Sequence, residues 1–347
     1  MSSTYRDMPP IAVIGFAHSP HVDETFGTTN GVEMLVPCFQ KLYAELGITR
    51  TDIDFWCSGS SDYLAGRAFS FISAIDSIGA VPPINESHVE MDAAWALYEA
   101  WVKIATGEVD VALAYGFGKP SASHTDQVLA LQTDPHTVAP LWPDARSLAA
   151  LQARAGLDSG AWTEADMAAV AARGTDRSVE DLLASDYVSD PFRAHDVCRY
   201  TDGAAAIILA SEHRAKQLVA RPAWISGWDH RIDTPNFGAR DLTKSLSTKL
   251  AGDAVLGDNR KVDVAELHAS YTHQELILKN ELGLDDSTII NPSGGALAAN
   301  PLFSAGLERI GFAASTILAG NADTALAHAS SGPLLQQNMV VKMEGKN

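Results

Sequence analysis

The sequence predicts an α/β protein: a five-layer α-β-α-β-α sandwich made of two duplicated halves with an inserted loop domain. Three recurrences predict it. GEVDVALAYG, from Gly107 to Gly116, returns as GNADTALAHA, from Gly320 to Ala329, with Gly107/Gly320, Asp110/Asp323, Ala112/Ala325, Leu113/Leu326 and Ala114/Ala327 in register. IDFWCSGS at 53–60 is answered by VDVAELHAS at 262–270, in pattern more than in identity. VPPINES at 81–87 is answered by STIINPS at 287–293, each with Ile-Asn and each running into a small-residue helix pattern. Three matches in one order imply a duplicated unit, and the unit is far too long for a solenoid repeat.

The elements follow along the chain. Residues 11–16 read as a short apolar strand, and 31–46 as a helix by spacing, ended by Gly47. Residues 53–57 are the next strand, and 91–105 a long helix that stops at Gly107. Residues 109–115 are apolar on both faces, as a strand covered by helices on both sides requires. Gly116, Gly118 and Pro120 end that strand. From 121 to 195 the composition changes: Pro135, Pro140 and Pro143 interrupt it, and helix patterns stand at 145–155 and 162–173. This stretch has no counterpart later, so it reads as an inserted loop domain, where specificity loops usually sit. Residues 202–211 resume the first half, which therefore comprises 1–120 and 196–220. The second half, 221–347, carries strands at 224–228, 262–267, 325–329 and 334–343. Its helices fall at 243–256, at 275–282 before Gly283, and at 300–314, the last buried by small residues.

Composition narrows the function classes. The 347 residues, 46% hydrophobic and 20% charged, suit two halves around a large core. A net charge of −18 argues against nucleic acid and anionic membrane as partners, since both need a basic footprint. No stretch approaches the ~20 apolar residues of a membrane span. The opening MSSTYRDMPP shows no signal-peptide pattern. Cys38, Cys57 and Cys198 are odd in number and widely spaced, so they form neither a disulfide framework nor a CxxC metal pair. These features give a cytoplasmic, reduced protein. Neither GxGxxG nor a P-loop occurs, so no nucleotide cofactor is expected, and no metal ligands stand out.

YTDGAAAIILAS (200–211), VDVAELHASYTHQELILKNELGL (262–284) and INPSGGALAANPLFSAG (290–306) resemble motifs of the thiolase superfamily, specifically its sterol-carrier-protein-2-type, lipid-transfer branch. The resemblance runs over nearly the whole chain, and the three motifs together are specific where none alone would be. It implies a thiolase-like fold and a coenzyme A thioester substrate. It also implies a nucleophilic Cys at the tip of the first buried helix, where a helix N-terminus favours thiolate. Aligned from AYGFGK (114–119), that position is Glu90, within His88-Val89-Glu90-Met91-Asp92, and no Cys is near. The family's HDCF motif reads His268-Ala269-Ser270-Tyr271, so Ser270 replaces its Cys, and the histidine of the family's GHP falls at Asn300. Acyl-enzyme chemistry is therefore not expected.

Each candidate carries two readings. His268 stands where the family lines the hole for the thioester oxygen, at a strand's C-terminal end where α/β sheets place ligand-facing groups; otherwise it is a hydrogen-bonded structural histidine. Tyr271 brings a phenol to the cavity wall or merely packs. His273 faces substrate or caps the next helix. Glu90 and Asp92 put carboxylates at a helix N-terminus, where they act on substrate or serve as caps. Asn300 caps its helix or donates to substrate, and His328 precedes the Ser330-Ser331-Gly332 loop.

The resemblance suggests a reaction. A thiolase scaffold forms an acyl-enzyme and stabilises a thioester enolate, and without the Cys only the second ability remains. Retro-aldol cleavage of a β-hydroxyacyl-CoA needs that ability alone, with Tyr, His or carboxylate as acid and base. Thiolase relatives without the Cys include bacterial steroid side-chain aldolases, which cleave a 17-hydroxy side-chain CoA ester to a 17-ketosteroid beside a small OB-fold/zinc-ribbon partner. The resemblance thus implies a lyase with His268, Tyr271, Glu90 and His273 as catalytic candidates, and Asn300, His328, Ser270 and Asp92 as substrate-binding ones. It also implies a homodimer, enlarged by such a partner, and no cofactor beyond the substrate's own CoA. Two alternatives stand: a non-catalytic acyl-CoA-binding or scaffold subunit, and a residual synthase using Ser270.

Overall fold

Strand parity builds the molecule. The computed structural model describes residues 8–26, 30–64 and 68–345; the N-terminal stretch read for a signal peptide lies, up to residue 7, outside them. The first half runs β1 (Ile11–His18), α1 (Gly31–Leu46), β2 (Phe55–Gly59), α2 (Ser70–Ile78), β3 (Glu86–Val89), α3 (Ala93–Ala105) and β4 (Val111–Gly118). Then come α4 (Thr125–Leu131), α5 (Ala145–Ser159), α6 (Glu164–Ala172), α7 (Val179–Leu183), and the small hairpin β5 (Tyr187–Ser189) and β6 (Phe192–Arg193). β7 (Gly203–Ser211) and α8 (Glu212–Leu218) follow. The rest is β8 (Ala223–Ile232), α9 (Leu246–Leu256), β9 (Val264–Leu267), α10 (Thr272–Leu282), β10 (Ile289–Ile290), α11 (Gly295–Ala298), α12 (Ala305–Leu318), β11 (Thr324–Ser331) and β12 (Gln337–Glu344).

The strand order is β10-β9-β11-β12-β8-β1-β7-β4-β2-β3. Read outward from the centre, each half has the same plan. β2 lies parallel to β3 and β4, which pairs antiparallel with β7, which pairs antiparallel with β1. β9 lies parallel to β10 and β11, followed by antiparallel β12 and β8. The halves touch through Ala12–Trp224 and Val13–Ala223.

Alternation then sets the layers, since neighbouring side chains on a strand face opposite ways. Ala112 and Ala114 of β4, Ala205, Ile207 and Leu209 of β7, and Ala325, Ala327 and Ala329 of β11 all pack on one core with α3 and α12. The intervening Val111, Leu113, Tyr115, Ala206 and Ile208 meet α1 on the outer side of the first half. Ala265, Leu267, Leu326 and Val340 meet α10 on the outer side of the second. Helix, sheet, paired helices, sheet and helix make the five layers.

The duplication extends to hydrogen bonds. Gly107 and Gly320 both turn the chain at φ 73° and 75°, where glycine is favoured. Asp54 Oδ2 accepts from the N–H groups of Asp110 and Val111, and Asp263 Oδ2 from those of Asp323 and Thr324. Many element ends shift from the pattern by a few residues, and two of the shifts have a visible cause. The helix expected from 300 begins at Ala305, because Asn300 is extended and bridged to Tyr200 while residues 301–304 turn into the helix. The strand expected from 334 begins at Gln337, since Leu334 and Leu335 have positive φ. Helices α2, α4, α7 and α8 have no counterpart in the pattern.

Candidate functional site

A cavity of about 190 Å³ opens at the C-terminal ends of β9 and β11. Its polar lining is Asp92, Gln132, Thr133, Tyr200, His268, Ser270, Tyr271, Gln274, Asn300, Ser330 and Ser331. Leu302 and Phe303 close one wall, Leu334 and Leu335 another, and the inserted stretch adds Leu129, Pro143 and Leu148.

His268 follows the last residue of β9. Its Nδ1 accepts the Ser330 N–H at 3.2 Å, which leaves the ring's proton on Nε2. Burial, with His328 and Arg309 adding to it, pushes its pKa down to about 3, while a side-chain contact with Asn300 acts the other way. At neutral pH His268 is an uncharged N–H donor. That suits it to hold a developing oxyanion and not to carry a proton away.

Tyr271 stands at the N-cap of α10 with its ring stacked 5.3 Å from Phe192. Burial and Cys198 push its phenol well above the usual value, against a lowering hydrogen bond from Tyr200 and the nearby Arg146. Tyr200 is also raised well above the usual value, by burial first and by Cys198 and Tyr271 next. The two phenols form a protonated pair at the cavity wall, able to donate and poorly able to accept a proton. The motif YTDGAAAIILAS contains Tyr200 without marking it as a site residue; its one sequence signal is an aromatic hydroxyl three residues before the strand that begins at Gly203.

Asn300 is buried. Its Nδ2 donates to Ser270 Oγ at 3.1 Å and to Cys198 Sγ at 3.3 Å, and its Oδ1 completes no hydrogen bond. It caps no helix, correcting that reading, because the chain is extended there. A buried acceptor without a partner beside a cavity suits a ligand donor. Ser270 meets an amide and a thiol and no base, so it has no activating partner among the described residues.

Asp92 holds two helices at once. It caps α3 through Ala94 N at 2.9 Å and accepts from Gly306 N and Leu307 N, at 2.9 and 3.0 Å, at the start of α12. Burial nonetheless pushes its pKa up to about 6. It is the one carboxylate lining the cavity among the described residues.

Three candidates stand elsewhere. Glu90 does not line the cavity: the chain leaves β3 at Val89 and turns its side chain outward, 56% exposed, with His88 Nε2 at 3.5 Å. Asp92, two residues on, takes the helix end that Glu90 was expected to occupy. His273 is fully buried on the far side of α10, with Nε2 on Gln152 Oε1 at 3.0 Å and its ring between Trp162 and Phe192. Burial pushes its pKa down to about 3, so it ties α10 to α5, and Gln274 reaches the cavity in its place. His328 lies inside β11 with Nε2 on Asn338 Oδ1 at 3.0 Å, and burial lowers its pKa to about 4. It stands behind His268 and touches no ligand space. None of the three cysteines lines the cavity, and burial raises each thiol, Cys198 to about 11 and Cys38 to about 12.

No family model matches the chain. A 17-hydroxy-3-oxo-4-pregnene-20-carboxyl-CoA lyase of Mycobacterium tuberculosis is 28% identical over 207 residues, 52% of this chain and 53% of the lyase. An acetyl-CoA acetyltransferase of Methanocaldococcus jannaschii is 29% identical over 161 residues, 39% of this chain and 41% of the relative. The chain thus spans about half or less of the length of these curated relatives. A solved Ltp2-ChsH2(DUF35) aldolase superimposes with a TM-score of 0.78 at 18% identity, over 98% of this chain and 99% of the other.

Proposed function

We propose, from the premise that this chain has thiolase-superfamily homologues and the thiolase fold, that it catalyses retro-aldol cleavage of a β-hydroxyacyl-CoA and no thiolysis. The observation that carries the reading is the cavity's chemistry: a neutral His268 donor, a protonated Tyr200–Tyr271 pair and the Asp92 carboxylate, with no thiol among the lining groups.

Asp92 takes the hydroxyl proton, directly or through one water, as a carboxylate raised toward neutrality is suited to do. The oxygen's electron pair forms the new carbonyl at Cβ. The Cα–Cβ bond breaks, and its pair moves to Cα and onto the thioester oxygen. His268 Nε2–H holds that oxyanion, and Asn300 positions the neighbouring loop. Tyr271 protonates Cα, and the proton on Asp92 returns to the phenol through Tyr200 or solvent. A ketone and a shorter acyl-CoA leave. The substrate carries its own CoA, so the scheme needs no further cofactor.

The lyase relative's name and the apolar walls support a 17-hydroxy steroid side-chain CoA ester, cleaved to a 17-ketosteroid and a short acyl-CoA. A tertiary ring hydroxyl cannot be oxidised to the ketone that thiolysis requires, which is why a thiol would be dispensable. The working unit in this reading is a cytoplasmic homodimer, joined by an OB-fold/zinc-ribbon partner; the two components named for the solved Ltp2-ChsH2(DUF35) aldolase support the presence of a partner chain. Among the described residues no helix is long and apolar enough to cross a membrane.

The test is mass-spectrometric. Incubation with the 17-hydroxy ester should release ketone and shorter acyl-CoA in equal amounts, with or without a co-purified partner. A 3-ketoacyl-CoA with free CoA should give no thiolysis. No cleavage under either condition would leave the acyl-CoA-binding scaffold as the reading, and a trapped acyl adduct on Ser270 would return the synthase.

A further inference from the structure

Away from the cavity, His18 at the end of β1, His21 three residues on and Glu308 in the first turn of α12 converge, with one ligand atom from each inside a 4.8 Å span. Glu308 is fully buried. So is Glu266, and both carboxylates share a single buried guanidinium: Arg309 lies 2.9 Å from Glu266 and 3.4 Å from Glu308. One positive charge for two buried negative ones leaves Glu308 the less compensated, and a buried charge without its counter-charge is costly. The group facing its free oxygen is His21, with Nε2 at 2.9 Å.

The two imidazole rings lie 5.2 Å apart and nearly parallel. Imidazole nitrogens are common metal ligands, and His18 is already set for that role. Its Nδ1 lies 2.8 Å from the Ser19 carbonyl oxygen, which accepts the Nδ1–H and leaves the lone pair on Nε2. That second hydrogen bond is the usual device that fixes a ligating histidine's tautomer. His18 is exposed and Glu308 buried, so the cluster has an entry side and a dry side.

We propose that His18, His21 and Glu308 form a binding site for a divalent d-block cation of the zinc class, clamping the end of β1 to the start of α12. Two imidazole nitrogens and one carboxylate oxygen match the donor preference of such ions and leave a coordination position for water. None of the three side chains lines the cavity, although the Glu308 carboxylate lies close enough to Asp92 to help raise it.

The experiment uses the full chain, tag removed and stripped with a chelator. Zn(II) titrated by calorimetry should bind one ion per chain saturably and raise the melting temperature. Co(II) should give the visible absorption of a low-coordinate nitrogen/oxygen site. His18→Gln and His21→Gln should each weaken binding by at least about tenfold, since loss of an outer-shell partner alone costs about 10–100-fold. Both replace groups at the open side and should keep the fold, checked by circular dichroism. His213→Gln, at an exposed histidine far along the chain, should bind as wild type. No binding by wild type, or equal binding by the His18→Gln/His21→Gln double variant, would overturn the site.

Discussion

The two halves share a strand plan and differ at the strand ends, and that difference decides where a site can form. In the first half the ends of β2 and β4 carry Gly59, Gly116 and Gly118. A Cβ on Gly59 would lie 2.4 Å from Ala93 Cα, one on Gly116 2.5 Å from Phe303 O, and one on Gly118 2.0 Å from Leu302 O. These glycines let residues 301–304 pack directly on the sheet, where Phe303 O accepts the first N–H of α3 from Ala93 at 2.9 Å. In the second half the corresponding positions hold His268, Ala329 and Ser331. There the start of α12 packs on Ala329 through Gly306, while His268 and Ser331 line the cavity and the Ser330 N–H turns to His268. One copy of the duplicated unit is sealed by backbone; the other is left open and polar. Duplication supplies two possible sites, and small residues at three positions close one of them.

The largest expected effect falls on the open end. His268→Ala should lower kcat for the 17-hydroxy ester by about 10²–10³, the usual cost of an oxyanion donor, with the melting temperature little changed. Tyr271→Phe should lower it by at least about tenfold, a cautious floor under that range. Wild-type rates in both would move the chemistry away from β9. The sealed end should respond in stability. Gly118→Ala pushes a Cβ against a carbonyl oxygen that belongs to backbone and should cost about 3 kcal/mol, the upper end of ordinary overpacking. Ser331→Ala, its counterpart, should stay within about 0.5 kcal/mol. Chemical denaturation of both variants measures the contrast, and equal costs would mean that the two ends are not differently packed.

How far the sequence carried this picture depends on what each signal encodes. Layer order was legible because burial on both faces writes continuous apolar runs, and the repeated Gly–Asp–Ala-Leu-Ala writes the duplication. His268, Tyr271, Ser270, Asn300 and Asp92 reach the cavity because they sit beside strand ends or helix starts whose positions were readable. Glu90, His273 and His328 do not reach it, for a common physical reason: side-chain direction changes with every residue. Asp92 replaces Glu90 after a turn of two residues, Gln274 replaces His273 one step around α10, and His328 points along a strand's interior instead of past its end. A motif locates a segment to within a residue or two, and that uncertainty spans the whole difference between facing a cavity and facing a neighbouring helix. Tyr200 shows the converse: its partner Tyr271 lies far away in sequence, and only the fold reveals the pair.

The halves should also differ toward acid. His268, His273 and His328, with pKa values pushed down to about 3, 3 and 4, all belong to the second half. A ring that stays neutral when folded but protonates when unfolded stabilises the fold in full above about pH 6.5, and loses that contribution as pH falls toward 3–4. Each can cost at most about 1.4 kcal/mol per pH unit over that window. Asp92 and Glu86, pushed up to about 6 and about 7, bind protons more readily when folded and offset part of the loss. The net expectation is a melting temperature that falls between pH 6.5 and 4.5, led by protection loss in β9 and β11 in hydrogen exchange. His273→Phe keeps the stack with Trp162 and Phe192, and Gln274 still donates to Gln152. That variant should flatten the pH slope, whereas an unchanged slope would assign the acid sensitivity to other groups.

The smallest effect tests the symmetry itself. Asp54 and Asp263 are surface carboxylates that each accept two backbone N–H groups where β4 and β11 begin, at 2.9–3.0 Å. Asp263 gains a third bond, from Thr324 Oγ1 at 3.1 Å, and these bonds hold its carboxyl below the ordinary value. Water can replace part of each interaction, so Asp54→Ala and Asp263→Ala should each cost only about 1 kcal/mol, the second slightly more. The two sites lie in different halves with no shared partner, so the double variant should lose the sum to within about 0.5 kcal/mol. Equal and additive losses would show that the copies hold their strands independently, leaving the strand ends free to diverge. A double loss well below the sum would mean that the halves unfold as coupled units and that the sealed end supports the open one.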